Sequence, residues 1–471
     1  MELFKGENTM EKKTRPFGVL DQVGYVCGDM AGSFVNLFVD AYFLTFCTYV
    51  LGISPAWMAT LFLVARLWDA INDPIMGSFP DRWRLGKSGD KFKPWIKLFM
   101  IPLALSGIFC FSKVSFTGVA LHAWVAFVYI LYGMSYTGTS MPFGAMASVV
   151  STDPIDRSKL SRARSIGGTL VGIGALSMVP VFCFDNASNI MPERFTLMAA
   201  IFGVLSIVCY LLLCHFTPER VHEKHAPGQK FEYSKVLKAA FKNRPLIGVM
   251  IATIGSMLFI TGSSQLRSYI YKEFYHDTGA MTIASLGSLP VMIICFILVP
   301  KIVAKFGKRN VILVMSAYNL ALSAFILFFP IQNVMLYTIL NLLATIGQTA
   351  FTMLIWAMVT DCLDYSEWKM NIRSDGSMYS LYTFSRKIGS TIASTGAASA
   401  LAAIGYVSGA GAVQSGATVN NIYYLVNAVP VVTCILELIG IGLIFNLDQK
   451  TTETMYAELA ERRANGTAEE A

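Results

Sequence analysis

The sequence predicts an all-α integral membrane protein in which twelve transmembrane helices form two halves of six. Three observations carry that prediction. Hydrophobic residues make up 54% of the 471-residue chain and charged residues only 14%, against about a quarter in soluble domains. Apolar runs of roughly 20 residues or more, the length that crosses a bilayer, recur from one end of the chain to the other. The lysines and arginines behind the net charge of +7 fall in the short connections between those runs. There they orient a membrane protein rather than build a phosphate-binding face, so no nucleic-acid partner is expected.

In chain order, residues 1–16 are polar and lack an apolar signal core, so the first hydrophobic run reads as an uncleaved span. Spans are expected over 20–50, 55–80, 94–112, 118–150, 162–184, 193–216, 245–271, 280–304, 310–329, 333–361, 377–406 and 420–446. The most polar connection, 217–244, divides an N-terminal half (1–216) from a C-terminal half (245–446), and a charged tail, 447–471, is expected to be helical or disordered. One set of loops carries Arg82, Arg84, Lys87, Lys91 and Lys93, then Arg157 and Lys159, then Arg220 through Arg244. The same set continues with Lys305, Lys308 and Arg309, then Lys369 and Arg373, whereas the opposite loops hold little beyond Lys113, Arg194 and Lys272. The positive-inside rule then puts both termini in the cytoplasm of a multi-pass protein of the cell (inner) membrane. Gly77 through Lys87 and Pro300 through Arg309 repeat glycine and cations at the same corner of each half, as related halves around a central site do. The nine cysteines are scattered through apolar segments without metal-ligand spacing, so neither a disulfide framework nor a zinc site is expected.

The second span holds the residues that call for a function. Asp69, Asn72 and Asp73 stand at i, i+3 and i+4, which crowds their oxygens onto one helical face. A carboxylate in a span costs a few kcal/mol on insertion scales, so it needs a partner or a task. Two carboxylates and an amide oxygen suit a small hard cation or a shared proton. The competing reading is structural glue neutralised by Arg66 and loop cations, but Arg66 alone cannot balance two acids.

Other spans carry polar stripes. Asp29, Ser33, Asn36 and Asp40 line one face of the first helix, which a membrane protein turns inward or toward a water-filled cavity. The fourth helix offers Tyr136, Thr137, Thr139 and Ser140 before Pro142, and Thr137 adds a hydroxyl to a possible cation shell. Arg164 opens the fifth span, Lys387 lies inside the eleventh beside Arg386, and Trp356 continues a stripe with Thr352 and Gln348. An aromatic face beside hydrogen-bonding groups suits a sugar ring. No phosphate loop, H-E-x-x-H or G-x-S-x-G motif is present, so neither an enzyme nor an ATP-driven pump is expected, and no cofactor.

The run Ala65 through Gly77, followed by Lys91-Phe92-Lys93-Pro94-Trp95, resembles the signature of the glycoside–pentoside–hexuronide:cation symporters, to which the melibiose permeases belong. The likeness extends to Pro142-Phe143, to Asp156-Arg157 with Arg164, to Asp361 through Trp368, and to Gly376 through Gly389. It implies the major facilitator architecture and sugar uptake coupled to sodium, proton or lithium. It also implies that Asp69, Asn72, Asp73 and Thr137 ligate the cation, with Lys387 near that site and Arg164 at the sugar cavity. The melibiose permeases hold galactosyl hydroxyls with two acids, whose positions here are Ser33 and Ser140, and their aromatic partner becomes Gly144. Asp29 follows the Gly-Asp pattern of other branches, while Asp40 is peculiar to this chain.

These residues lead to an expected symporter importing a glycoside, pentoside or hexuronide with Na+ or H+. Substrate contacts are expected from Asp29, Ser33, Asp40, Tyr136, Ser140, Arg164, Trp356 and Lys387. Serines at the two acid positions leave Arg164 and Lys387 with fewer opposing charges. Because unit charges about 4 Å apart attract by about 4 kcal/mol at an effective dielectric near 20, a hexuronide enters the range beside neutral glycosides. A lysolipid-type or other small-molecule carrier on the same fold, or a non-transporting membrane sensor, are the alternatives.

Overall fold

The computed structural model describes residues 15–83, 85, 90–151, 153–185, 188–220, 243–370, 375–409 and 411–469. The first six helices are α1 (Val19–Tyr49), α2 (Pro55–Arg82), α3 (Lys93–Cys110), α4 (Gly118–Val150), α5 (154–183) and α6 (Pro192–Phe216). The next six are α7 (244–274), α8 (Ala280–Phe306), α9 (Lys308–Phe328), α10 (Val334–Met370), α11 (Asp375–Ala403) and α12 (416–444). A further helix, α13 (Gln449–Glu469), follows them. α5, α7 and α12 each contain wider, π-type turns, at Leu170–Ala175, at Leu258–Ser263 and Ile270–Phe274, and at Leu438–Ile444. Such turns let one helix change pitch without leaving its hydrogen-bonded ladder.

The order of elements follows the sequence expectation, with two boundaries displaced for a physical reason. α5 starts at Pro154 rather than 162, since Arg157 Nε donates to Ser151 O (2.8 Å) and Ser151 Oγ to Asp156 (3.2 Å), folding a polar first turn that apolarity cannot register. α10 runs nine residues past its expected end at 361 to Met370, held by α13 beneath it. There Lys308 Nζ donates to Asp361 (2.6 and 2.7 Å), Tyr456 bonds the same carboxylate, and Trp368 Nε1 donates to Glu458 (2.6 Å). The tail is therefore a docked helix. The middle connection was expected over 217–244, of which 221–242 lie outside the described residues, as do Arg84, Lys87 and Arg373.

Ten of these helices are long and apolar enough to cross a membrane on their own. The exceptions among α1–α12 are α2, which carries Arg66, Asp69 and Asp73, and α11, which carries Arg386 and Lys387. They pack against each other, and Lys387 of α11 meets Asp73 of α2 across that contact. Elsewhere α1 packs on α6 and α5, α3 on α4 and α6, and α9 on α10 and α12. An aromatic cluster pins α1 to α3 and α6: Phe38 lies 4.2 Å from Phe111 and 5.3 Å from Phe202, centroid to centroid.

The two ends of the bundle differ. At the end where α1 begins, Glu219 accepts the backbone N–H groups of Lys91, Phe92 and Lys93 (2.6, 2.9 and 3.0 Å), satisfying the open N-terminus of α3 with an anion. Arg220 likewise donates twice to the buried Asp21 (3.0 Å each). At the opposite end the halves are tied together. Thr48 and Tyr269 share a 2.7 Å bond, Tyr49 donates to Glu273, and Gly409 N donates to Thr48 O (2.9 Å). Thr278 N donates to Ser188 Oγ (3.1 Å) and Thr282 Oγ1 to Ser177 O (2.8 Å). Deeper in the bundle, Lys387 donates to Asp73 and links the halves again.

Candidate cation and substrate site

The i, i+3, i+4 spacing on α2 sets Asp69, Asn72 and Asp73 toward α4 and α11. Asp73 is shared: Thr137 Oγ1 of α4 donates to its Oδ1 (2.9 Å), and Lys387 Nζ of α11 donates to its Oδ2. Asp69 Oδ2 lies 3.6 Å from the Arg66 guanidinium, and its Oδ1 lies against α4 at Gly133, where an added Cβ would come within 3.4 Å. Asn72 is buried, and its amide nitrogen has no hydrogen-bond partner. Of the four expected cation ligands the structure joins Asp73 and Thr137 directly, with Asp69 and Asn72 on the same helix as Asp73.

Arg66 reaches further than its own helix. Its guanidinium lies 3.9 Å from Asp40 of α1, and Asp40 also accepts from Asn36 Nδ2 (3.0 Å). Tyr132 of α4 donates to Asn36 Oδ1 (2.8 Å) and stacks on Tyr136 (6.3 Å, 22°). Asp40 therefore joins Asp69 through Arg66. Three carboxylates, Asp40, Asp69 and Asp73, face two cationic side chains, Arg66 and Lys387. The formal excess of one carboxylate is what a single monovalent cation, or a proton, balances. Among the described residues no group of three or more His, Cys, Asp or Glu side chains could hold a metal ion.

A second polar group lies between α1, α4 and α5. Arg164 Nε donates to Asp29 (2.9 Å), and its guanidinium lies over the Phe143 ring (5.2 Å). Two glycines permit this approach. A Cβ on Gly167 would stand 2.4 Å from Val26 O, and one on Gly168 would stand 2.8 Å from Asp29 Oδ2 and 3.8 Å from Ser33 Oγ. Gly144 leaves the Arg164 head room on α4, its Cβ position being 3.8 Å from Nη1. Ser140 and Tyr136 are half-buried on the same helix. Trp356 stands apart from this group, on α10, where the Arg386 guanidinium lies over its ring (5.4 Å) and Tyr382 meets it edge-on (5.0 Å). Gln348, expected on the Trp356 stripe, is drawn into the core and donates to Ser256 Oγ (2.8 Å).

Sequence reasoning missed the Arg66–Asp40 link, the Asn36–Tyr132 support and the Arg386–Trp356 stack. The first had a signal in the adjacency of Arg66 and Asp69. The rotation of α1 against α2 that brings Asp40 there is set by packing and has no signature in spacing.

A bundle of spanning helices, closed at one end, with ion-paired carboxylates where α2 meets α11 and a polar group among α1, α4 and α5, defines a membrane carrier. The MFS/sugar transport protein family matches residues 24–449, and the chain belongs to that family. The isoprimeverose transporter of Lactiplantibacillus pentosus is 29% identical, over 95% of this chain and 92% of that one. The glucuronide carrier protein homolog of Escherichia coli (strain K12) is 26% identical, over 82% of this chain and 84% of that one. The crystal structure of the nucleoside transporter NupG superposes with a TM-score of 0.63 at 13% identity, covering 90% of this chain and 99% of that one. The protein is therefore a multi-span sugar transporter of the major facilitator fold, and both its fold and its relatives are those of transporters rather than enzymes.

Proposed function

We propose that this protein is a sugar:cation symporter that imports a glycoside, pentoside or hexuronide with Na+ or H+ across the cell (inner) membrane. The observation that carries the reading is the excess of one carboxylate, in the Asp40, Asp69 and Asp73 cluster, over the cationic side chains of Arg66 and Lys387. A cation entering among Asp69, Asn72, Asp73 and Thr137 displaces the Lys387 ammonium from Asp73. The released lysine then turns to the substrate, joined by Arg164, Asp29, Ser33, Asp40, Tyr136, Ser140 and Trp356. Binding of either partner thereby favours binding of the other, as reciprocal coupling requires.

The halves 1–216 and 245–446 move about this site. With the basic loops and both termini cytoplasmic, the conformation described here is sealed on the outside and accepts or releases substrate inward. An isoprimeverose transporter and a glucuronide carrier homolog among the relatives bracket the substrate class, one neutral and one anionic. The test is uptake of a sugar panel into proteoliposomes under imposed sodium and proton gradients. Accumulation that follows one gradient supports the reading, and uptake indifferent to both removes it.

A further inference from the structure

Among the described residues Arg267 makes no ion pair with a carboxylate. It lies on α7 within the spanning bundle, and among the described residues its one hydrogen bond is a long 3.4 Å contact from Nη1 to Ser285 Oγ. Arg66 and Arg164 each have an acid, at 3.6 and 2.9 Å. A guanidinium carries five N–H donors, so most of the donors of Arg267 have no protein acceptor. An unspent cation inside a membrane protein marks a functional site by default.

The surroundings are built for a ligand that only accepts. Arg267 lines a cavity of about 110 Å³ between α7, α8, α10 and α12, whose lining holds no aspartate or glutamate. Ser263 Oγ in that lining is buried with no hydrogen-bond partner, a second unspent donor. The rings of Tyr271 and Tyr337 meet at 69° with centroids 6.0 Å apart and wall one side. The space, about 110 Å³, has room for a small charged substituent. The stretch Ser264–Tyr269 packs against α1 of the other half, so the cavity stands beside the seam along which the halves part.

We propose that Arg267 and this cavity form the subsite for the oxyanion substituent, a carboxylate or a sulfonate, of a sugar acid. The proposal rests on the carrier reading above and narrows its substrate to the anionic class. Arginine suits the task because its planar fork matches an oxyanion bidentately, with shorter and stronger bonds than neutral donors give.

The experiment is titration of methyl β-glucuronide and methyl β-glucoside, which differ in that one substituent, into the full-length protein and its Arg267→Gln and Arg267→Lys variants. Wild type should prefer the glucuronide, and Arg267→Gln should cut the glucuronide-to-glucoside affinity ratio about tenfold to a hundredfold. Arg267→Lys should keep part of the preference, since it keeps the charge and loses the fork. An unchanged ratio in Arg267→Gln overturns the subsite. Should that variant not fold, the wild type decides, because a preference for the glucoside also overturns it. Glucoside binding without glucuronide binding removes the subsite and leaves the carrier reading standing. Failure to bind or transport any sugar removes the carrier reading, and the subsite with it.

Discussion

Replacing Asp73 with cysteine tests the coupling in the most informative way. Asp73 is the one carboxylate bonded to both neighbouring helices, to Thr137 of α4 and to Lys387 of α11. Without it, Asp40 and Asp69 face Arg66 and Lys387, the local charges cancel, and nothing draws in a further cation. Opposite unit charges about 4 Å apart attract by about 4 kcal/mol at an effective dielectric near 20. The Lys387 side chain is 48% exposed, so solvent screens part of that. A loss of about 2–3 kcal/mol remains, or cation affinity weaker by about 30- to 150-fold. Proteoliposomes loaded with sugar separate the two functions: Asp73→Cys should lose sodium- or proton-driven accumulation and keep exchange of labelled for unlabelled sugar. A variant that still concentrates sugar with unchanged cation dependence would refute the assignment of Asp73.

Other outcomes follow from particular contacts. Asp40→Asn leaves Arg66 to Asp69 alone, so the cation concentration for half-maximal uptake should rise severalfold; an unchanged value would return Asp40 to a purely structural role. Gly167→Ala forces a Cβ to within 2.4 Å of Val26 O, and overpacking of this kind costs about 1–3 kcal/mol. It should lift α5 off α1 and cut transport in step with the Asp29–Arg164 pair, read as reduced uptake at normal expression. Glu219→Gln removes the anion from the three N–H groups opening α3 and should lower unfolding stability by about 2–3 kcal/mol, seen as a lower thermal midpoint in detergent. Tyr49→Phe with Thr48→Val unties two bonds between the halves and should speed thiol labelling of a cysteine placed at Thr45.

Much of this was legible in the chain because hydropathy acts locally. The bilayer requirement fixes span length, so ten helices could be read from apolar runs, and α2 and α11 from the residues that interrupt theirs. The Asp69, Asn72, Asp73 face was legible for the same reason, since helical periodicity alone sets it. What was not legible depends on how helices rotate against each other. Asp40 reads as one member of a stripe with Asp29, yet the two part company, Asp29 to Arg164 and Asp40 to Arg66. Arg267 reads as an ordinary residue of α7 until the fold leaves it, among the described residues, with only the long contact to Ser285. The polar helical starts and ends at Pro154 and Met370 escaped because capping and tail docking, not hydropathy, extend them.

The central claim is that the excess of one carboxylate at Asp40, Asp69 and Asp73 is met by one co-transported cation. The direct measurement is the cation-to-sugar ratio, from the membrane potential that just halts net flux of a neutral glycoside in proteoliposomes at known sodium, proton and sugar gradients. The account predicts a ratio of one and net inward charge with a neutral sugar. A flux that halts when the sugar gradient alone is zero, whatever the cation gradient and voltage, would contradict it.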